Sequence, residues 1–153
     1  ENIIRQTCRN HIILRLALMY GRGIYNREYG SEWLERDLIR IRAANSKEKI
    51  GLYTDQYRSM ISVKNVALII KALINSNYCG ILNIGGPEAI SRYQFGKLLC
   101  DKLNLSTTLI KPVKFKDADS EVKSPLDVTL KIKKAEQLGL NLLPVEKGLE
   151  LEY

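Results

Sequence analysis

The sequence lacks the features that would assign it to a membrane, a metal site or an oxidising compartment. No apolar run reaches the roughly 18 residues that a membrane-spanning helix needs, and no signal peptide is visible at the start. The three cysteines lie far apart without Cys-x-x-Cys spacing, so neither a zinc site nor a disulfide framework is expected. The single histidine, His11, has no serine or carboxylate at a spacing typical of catalysis. We therefore expect a cytoplasmic protein that neither enters a membrane nor binds a metal.

A nucleotide-binding fingerprint is also missing. No Gly-x-Gly-x-x-Gly motif lies between a predicted strand and a predicted helix. What is present is the composition of one ordinary globular domain: 153 residues, of which 45% are hydrophobic and 27% are charged. The net charge of +7 comes from lysines and arginines that are scattered along the chain, as on a solvated surface. Because no aromatic-rich basic stripe accompanies this charge, nucleic acid is not expected as a partner.

Strand and helix patterns alternate along the chain. Short apolar runs, typical of strands buried on both faces, predict strands at 11–18, 50–53, 80–84 and 108–112. Apolar residues at helical spacing predict helices at 1–9, 32–44 and 130–138, and further helices after Ser62, Ser91 and Pro144. Ser31, Ser62 and Ser91 are the expected caps, and Ser91 with Gln94 forms a capping-box pattern. This order of elements predicts an α/β fold with some parallel strand pairing.

Four segments of the chain, in order and at suitable spacing, match motifs of one enzyme family. They are a strand ending in Tyr-Gly, an Arg-x-x-x-x-Val segment, a Gly-x-x-Asn-x-Gly segment followed by Ser-x-x-Gln, and a Ser-Pro-x-Asp segment, at 13–21, 55–67, 80–95 and 124–128. Together they resemble the extended short-chain dehydrogenases/reductases, the NAD-dependent epimerases and dehydratases. Within that family the resemblance is closest to the dTDP-4-dehydrorhamnose reductases. A related branch without catalytic activity is the regulatory β subunit of methionine adenosyltransferase.

The resemblance implies an α/β fold that is the C-terminal part of a Rossmann-like extended short-chain dehydrogenase, with the last sheet strands and a substrate-binding subdomain. Residues 1–153 would form one substrate-binding portion. The N-terminal NAD(P)-binding portion, with its Gly-rich loop and catalytic Tyr-x-x-x-Lys pair, would be absent. Tyr93 and Lys97 repeat that spacing, but they follow a strand and a turn of the substrate half, so we interpret them as a coincidental pair on one helix face. No catalytic residue is expected in this chain.

The resemblance also implies two polar substrate-binding residues. Arg58 matches an arginine that reaches the nucleotide phosphates, for which a guanidinium is suited because it forms paired, charge-assisted hydrogen bonds. The alternative is a surface ion pair with Asp55. Asp127 matches an aspartate that accepts a ribose hydroxyl, and the alternative is a turn or capping residue. The family has an arginine where this chain has Ser124, with Lys123 beside it, and this departure weakens the predicted phosphate clamp.

The end of the first predicted strand supplies the remaining candidates. Ligands of open α/β sheets gather at the carboxyl ends of strands. In the family this segment packs near the nicotinamide and the sugar, which implies that Leu18 and Met19 contact the substrate and that Ala17 and Leu18 contact the cofactor. The alternative for all three is core packing. Trp33 is interpreted as helix packing, although the family uses aromatic residues near this region for the sugar.

Two other positions have a structural and a functional interpretation. Asn65 stands where the family usually has aspartate, in the first turn of a helix, and we expect it to act as an N-terminal cap. The turn at 85–87, Gly-Gly-Pro, precedes a serine-capped helix. Such a turn could cradle a phosphate, but a plain chain reversal is the expected role.

Two hypotheses of function stay open. In the first, the chain is the substrate-binding half of an NAD(P)-dependent nucleotide-sugar reductase that favours a dTDP-sugar, and NADP or NAD binds the full-length protein rather than this chain alone. In the second, the chain is a non-catalytic regulatory or binding subunit with the same fold, as in the methionine adenosyltransferase β subunit. A homodimer is compatible with both. Without the central strands the sheet would expose an edge, so we expect the isolated chain to self-associate.

Overall fold

The computed structural model describes residues 1–22, 32–115 and 124–153. Ser31 and Lys123 lie outside these ranges, so the cap and the neighbouring cation predicted there stay predictions. The described helices are α1 (Asn2–Thr7), α2 (Glu32–Ala43), α3 (Val63–Ile74), α4 (Arg92–Lys102), α5 (Lys133–Gln137) and α6 (Val145–Glu152). The described strands are β1 (Ile12–Leu16), β2 (Met19–Tyr20), β3 (Ile50–Tyr53), β4 (Tyr57–Arg58), β5 (Ile61–Ser62), β6 (Gly80–Ile84), β7 (Ile90–Ser91) and β8 (Ile110–Val113).

The described strands pair as three parallel ladders and one antiparallel ladder. The longest ladder joins β1 to β6, in register from Ile12 opposite Gly80 to Leu16 opposite Ile84. β2 pairs with β5 and β3 with β8, both parallel, whereas β4 and β7 are antiparallel. Each parallel ladder joins strands with at least one helix between them in the chain, as parallel crossovers require. The α/β fold and the parallel pairing predicted from the sequence are confirmed.

Two predicted elements are shorter or displaced. Ser106 Oγ accepts a hydrogen bond from the backbone N–H of Thr108 at 3.2 Å and starts a 3-10 turn over Thr107–Leu109, so β8 begins only at Ile110. The helix predicted at 130–138 is limited to α5, and the N–H of Leu130, outside that helix, donates to Ser59 Oγ at 3.0 Å. In both places a serine hydroxyl accepts a backbone hydrogen bond that competes with the regular backbone pattern.

The two serine caps form as predicted. Ser62 Oγ accepts from the backbone N–H of Asn65 at 3.2 Å at the start of α3. At the start of α4, Ser91 Oγ accepts from the N–H of Gln94 at 3.1 Å, and Gln94 Oε1 accepts from the N–H of Ser91 at 2.8 Å. This reciprocal capping box is confirmed. It fixes the first residue of α4, which becomes important for the site.

The core consists of two clusters, one on each side of the β2–β5 ladder region. The first packs α2, α4 and α6 around β3 and includes Leu34, Leu38, Leu52, Phe95, Leu99 and Leu149. The second packs α3 and α5 against β6 and includes Ile61, Val66, Ile69, Leu73, Leu82, Ile84 and Ala135. α3 buries Val66, Ile69 and Leu73, whereas its apolar residues Ile70 and Ile74 are 39% and 75% exposed. No described helix is long and apolar enough to cross a bilayer.

The C-terminal helix is fixed to the start of α3 by one carboxylate. Glu152 is 6% exposed, and its Oε1 accepts from Ser62 Oγ at 2.5 Å and from the backbone N–H of Lys64 at 2.9 Å. Backbone N–H groups at a helix N-terminus carry partial positive charge, which stabilises a carboxylate placed there. Glu152 therefore acts as a second cap of α3, supplied from about ninety residues further along the chain.

Asn65 does not cap α3 through its side chain, so that prediction is wrong. Its Nδ2 donates to the carbonyl oxygen of Asn141 at 2.9 Å, and its Oδ1 accepts from the N–H of Leu143 at 3.0 Å. The residue is 1% exposed. An amide can donate and accept at once, whereas an ionised aspartate can only accept. Asparagine therefore fits this position because it satisfies both backbone groups of the segment that leads into α6.

Two glycines let the turn after β6 pack against the chain before β5. A Cβ atom on Gly85 would lie 2.9 Å from Ser59 Cβ and 3.1 Å from Ala17 Cβ, and one on Gly86 would overlap the carbonyl oxygen of Met60. The N–H of Gly86 also donates to the carbonyl of Ser59 at 3.1 Å. The two glycines therefore reverse the chain and allow close backbone packing. The space that a side chain would need at each position is occupied by other protein atoms.

Replacing Asn65 with alanine is expected to lower the free energy of unfolding by about 1–3 kcal/mol, because a buried donor and a buried acceptor lose their partner. Urea denaturation measures the change. Asn77→Ala is the matched control, since Asn77 is exposed, and its unfolding free energy is expected to change by less than about 0.5 kcal/mol. Equal stability of the two variants would contradict the bridging role.

Gly86→Ala is expected to destabilise the fold by about 1–3 kcal/mol, since the added methyl group meets a main-chain oxygen that cannot rotate away. Thermal and urea denaturation report the loss. Ala89→Ser is the control, because Ala89 is exposed and lies on the same loop. A Gly86→Ala variant as stable as the control would show that the close approach is not required.

Candidate functional site

Three chain segments meet at the carboxyl edge of the β1–β6 ladder. Because the two strands are parallel and in register, both end at this edge, where Ala17 and Gly85 follow them. The N–H of Ala17 donates to the carbonyl of Ile84 at 2.9 Å, and Gly85 packs against Ser59. The carboxyl edge of an open α/β sheet is where ligands usually bind. The segment that contains Arg58 is thereby brought to the same edge as the end of the first strand.

A mostly apolar pocket opens beside this edge. Its cavity is about 40 Å³, or about 370 Å³ when the open solvent at its mouth is included. The described residues that line it are Leu18, Met19, Trp33, Leu34, Leu52, Met60, Arg92 and Phe95. Leu18 is 39% exposed, so a ligand could contact it. Two of the three residues predicted at the strand end, Leu18 and Met19, thus share one pocket with Trp33, whereas Ala17 does not line it. Trp33 also packs against the first core cluster, as predicted.

Arg58 is held in place by main-chain carbonyls. Its NH1 donates to the carbonyls of Tyr57 at 2.7 Å and Leu126 at 3.3 Å, and its NH2 donates to the carbonyl of Pro125 at 3.4 Å. A guanidinium has five N–H donors, so at least two remain for a ligand. The alternative ion pair with Asp55 does not form, because Asp55 Oδ1 instead accepts from the N–H of Phe115 at 2.8 Å.

Asp127 lies beside Arg58, as a shared site requires. It forms a parallel bridge with Tyr57, the residue before Arg58. One of its oxygens accepts from the N–H of Thr129 at 2.8 Å, which is the geometry of an aspartate turn. The bonds to Thr129, and then the nearby charge of Arg58, hold the pKa of Asp127 below its usual value. The turn role is therefore present, with both the backbone and the side chain of Thr129 bonded to this carboxylate.

Arg92 is a candidate that sequence reasoning missed. It is the first residue of α4, immediately after the cap Ser91, and it lines the pocket. Its Nε is buried and has no hydrogen-bond partner among the described residues. Burial and then the charge of Arg92 lower the pKa of Arg58, an effect that Asp127 opposes, so the two arginines interact. The only local signal was a cation next to a strongly predicted cap, and such a residue is common on solvated helix ends.

The Tyr93–Lys97 pair lies on α4 as the helix-face interpretation expects. Lys97 Nζ is 5.7 Å from the centre of the Tyr93 ring, and Lys97 is exposed. Neither residue lines the pocket that contains Arg92. Ser124 is partly buried and cannot supply the cation that the family has at that position. Within residues 1–22, 32–115 and 124–153, no group of three or more histidine, cysteine or acidic residues could hold a metal ion.

Comparison with known proteins places this arrangement in a family. The model of the RmlD substrate binding domain matches residues 1–151. A probable low-salt glycan biosynthesis reductase, Agl14 of Haloferax volcanii, is 25% identical over 152 residues, which cover 97% of this chain and 49% of that protein. The chain therefore spans about half the length of the curated relative that it matches.

Two crystal structures of dTDP-4-dehydrorhamnose reductases share the fold. The Bacillus anthracis enzyme, solved in complex with NADP, superposes with a TM-score of 0.77 at 19% identity, over 99% of this chain and 50% of that one. The Yersinia enterocolitica enzyme gives a TM-score of 0.75 at 20% identity, over 99% of this chain and 53% of that one. The α/β fold is that of the substrate-binding half of RmlD-like, Rossmann-type reductases. With the family model matching nearly its whole length, this chain belongs to the RmlD substrate binding domain family.

Proposed function

We propose that this chain forms the nucleotide-sugar pocket of an NAD(P)-dependent reductase that resembles the dTDP-4-dehydrorhamnose reductases. The observation that carries the proposal is that the segment of Arg58, bridged to Asp127, reaches the same sheet edge as the pocket lined by Leu18 and Met19, although Arg58 and Asp127 do not line that pocket. The reductase names of the relatives support the same substrate class. A dTDP-sugar is the favoured substrate, because both structural neighbours described above are enzymes of a dTDP-sugar.

A nucleotide sugar has a charged diphosphate and ring groups, and the proposed site has polar side chains for the first and apolar side chains for the second. Arg58 is fixed by three carbonyl contacts and keeps free N–H groups for phosphate oxygens. Asp127 offers a carboxylate oxygen that could accept a ribose hydroxyl. Leu18 and Met19 provide apolar wall against which a sugar or base ring can pack. The proposal assigns Arg58, Asp127, Leu18 and Met19 the roles that the family resemblance implies.

The cofactor would contact this chain at few points. The described residues include no Gly-rich phosphate loop, whereas Ala17 and Leu18 provide an apolar surface that fits a nicotinamide ring better than a diphosphate. We propose that NADP or NAD is held mainly by another part of the full-length protein. When bound, it supplies the hydride, and this chain positions the sugar carbonyl. Cytoplasmic location and a homodimer stay predictions from the sequence.

Arg58→Gln is expected to weaken dTDP binding by about 10- to 100-fold, because a charge-assisted phosphate contact of roughly 1.5–3 kcal/mol is lost. Isothermal titration calorimetry on the intact protein measures this. Arg58→Lys is expected to recover only part of the affinity, since lysine lacks the planar pair of donors. Arg42→Gln, which removes an exposed arginine of α2, is the control and should bind like the wild type.

Unchanged dTDP affinity of Arg58→Gln, at unchanged thermal stability, would contradict the proposal. Oxidation of NADPH with a dTDP-4-dehydro-sugar then separates the two hypotheses of function. Turnover supports a reductase, whereas nucleotide binding without turnover in the intact protein indicates a regulatory or binding subunit of the same fold.

A further inference from the structure

Arg92 is placed next to Arg58 by strand pairing. β4 and β7 are antiparallel, with Tyr57 opposite Ser91 and Arg58 opposite Ile90. Arg92 follows directly after β7 and begins α4, where the capping box fixes the backbone. It therefore lies one position beyond the Tyr57–Ser91 pair, on the pocket side of the ladder. Arg58 lies in this ladder and Arg92 follows it directly, so the strand pairing brings the two residues close together.

The charge of Arg92 is not neutralised by the described residues. It forms no hydrogen bond or ion pair with any of them, and its Nε is buried. The rest of the described pocket wall is apolar, with Met19, Trp33 and Phe95 among its residues. A cation with a buried, unsatisfied donor is unfavourable, and a second arginine nearby adds repulsion. Arg58 has Asp127 beside it, whereas none of the described residues that line the pocket with Arg92 is a carboxylate.

We propose that Arg92 is a second anion-binding residue and that, together with Arg58, it holds the diphosphate of a nucleoside-diphosphate ligand. This rests on the proposed function and extends it to a residue that the family resemblance does not assign. One guanidinium binds each phosphate group, and the apolar pocket receives the ring group next to the diphosphate. A planar guanidinium group donates two parallel hydrogen bonds to two oxygens of one phosphate. A single arginine can therefore bind only one of the two phosphates in this way.

The arrangement gives a specific expectation for ligand choice. A diphosphate can engage both arginines, whereas a monophosphate can engage only one of them. The intact protein should therefore bind dTDP more tightly than dTMP by about 10-fold or more, the range of one charge-assisted contact. The difference should depend on Arg92.

The test is calorimetric titration of the intact protein and its Arg92→Gln variant with dTDP, dTMP and inorganic diphosphate. Arg92→Gln should weaken dTDP by about 10-fold or more and leave dTMP nearly unchanged, so that the preference disappears. Arg92→Lys should recover part of the preference. Without ligand, Arg92→Gln should melt no lower than the wild type, because it removes an uncompensated charge. If Arg92 only packed, Arg92→Gln would instead lower the melting temperature and weaken the binding of both nucleotides equally. That result would overturn the proposal.

The outcomes separate this inference from the proposed function. Loss of dTDP binding in Arg58→Gln with full binding in Arg92→Gln would overturn the two-arginine site and leave the nucleotide-sugar pocket standing. Binding of inorganic diphosphate that requires Arg92, without any binding of dTDP, would support the anion site and reject the nucleotide-sugar function. Binding of neither ligand by the wild type would reject both.

Discussion

The contact of Gly85 and Gly86 with the backbone of Ser59 and Met60 is the constraint on which the rest of the site depends. It joins the end of the β1–β6 ladder to the segment between β4 and β5, at a distance that leaves no room for side chains at either glycine. Since Arg58 immediately precedes this contact, its backbone position is set by it. The β4–β7 pairing then carries the same constraint to Ser91 and the start of α4. This one close contact between main-chain segments thus places the end of β1, Arg58 and the pocket at the same edge of the sheet.

The electrostatics of the site follow from how these segments are held. Arg58 is oriented by carbonyl oxygens, which are dipoles without net charge, and the nearby carboxylate of Asp127 offsets part of its positive charge. Asp127 is directed partly toward its own turn at Thr129. Arg92 adds a second positive charge against an apolar wall. Arg92 in the pocket wall and Arg58 beside it attract an anionic ligand, and apolar surroundings strengthen such an attraction.

The C-terminal part of the chain stabilises this arrangement from behind. Asn65 binds the backbone at Asn141 and Leu143, and Glu152 caps α3 through Ser62 and Lys64. α6 therefore closes over both the start of α3 and the first core cluster, where Val145 and Leu149 are buried. By contrast, α1 buries no residue, and Ile3 is 75% exposed. These polar anchors are concentrated where the C-terminal segment returns to α3.

The sequence by itself determined the α/β order, the serine caps of α3 and α4, and the substrate residues Arg58, Asp127, Leu18 and Met19 as candidates. These features depend on local periodicity, on hydrogen bonds across three residues, or on motif spacing. Only the tertiary structure decided that Leu130 stays outside α5, that Asn65 bridges rather than caps, and that Arg92 lies beside Arg58. Each of these depends on a partner about thirty to seventy-eight residues away, and spacing along the chain carries no information about which distant backbone group a side chain will meet.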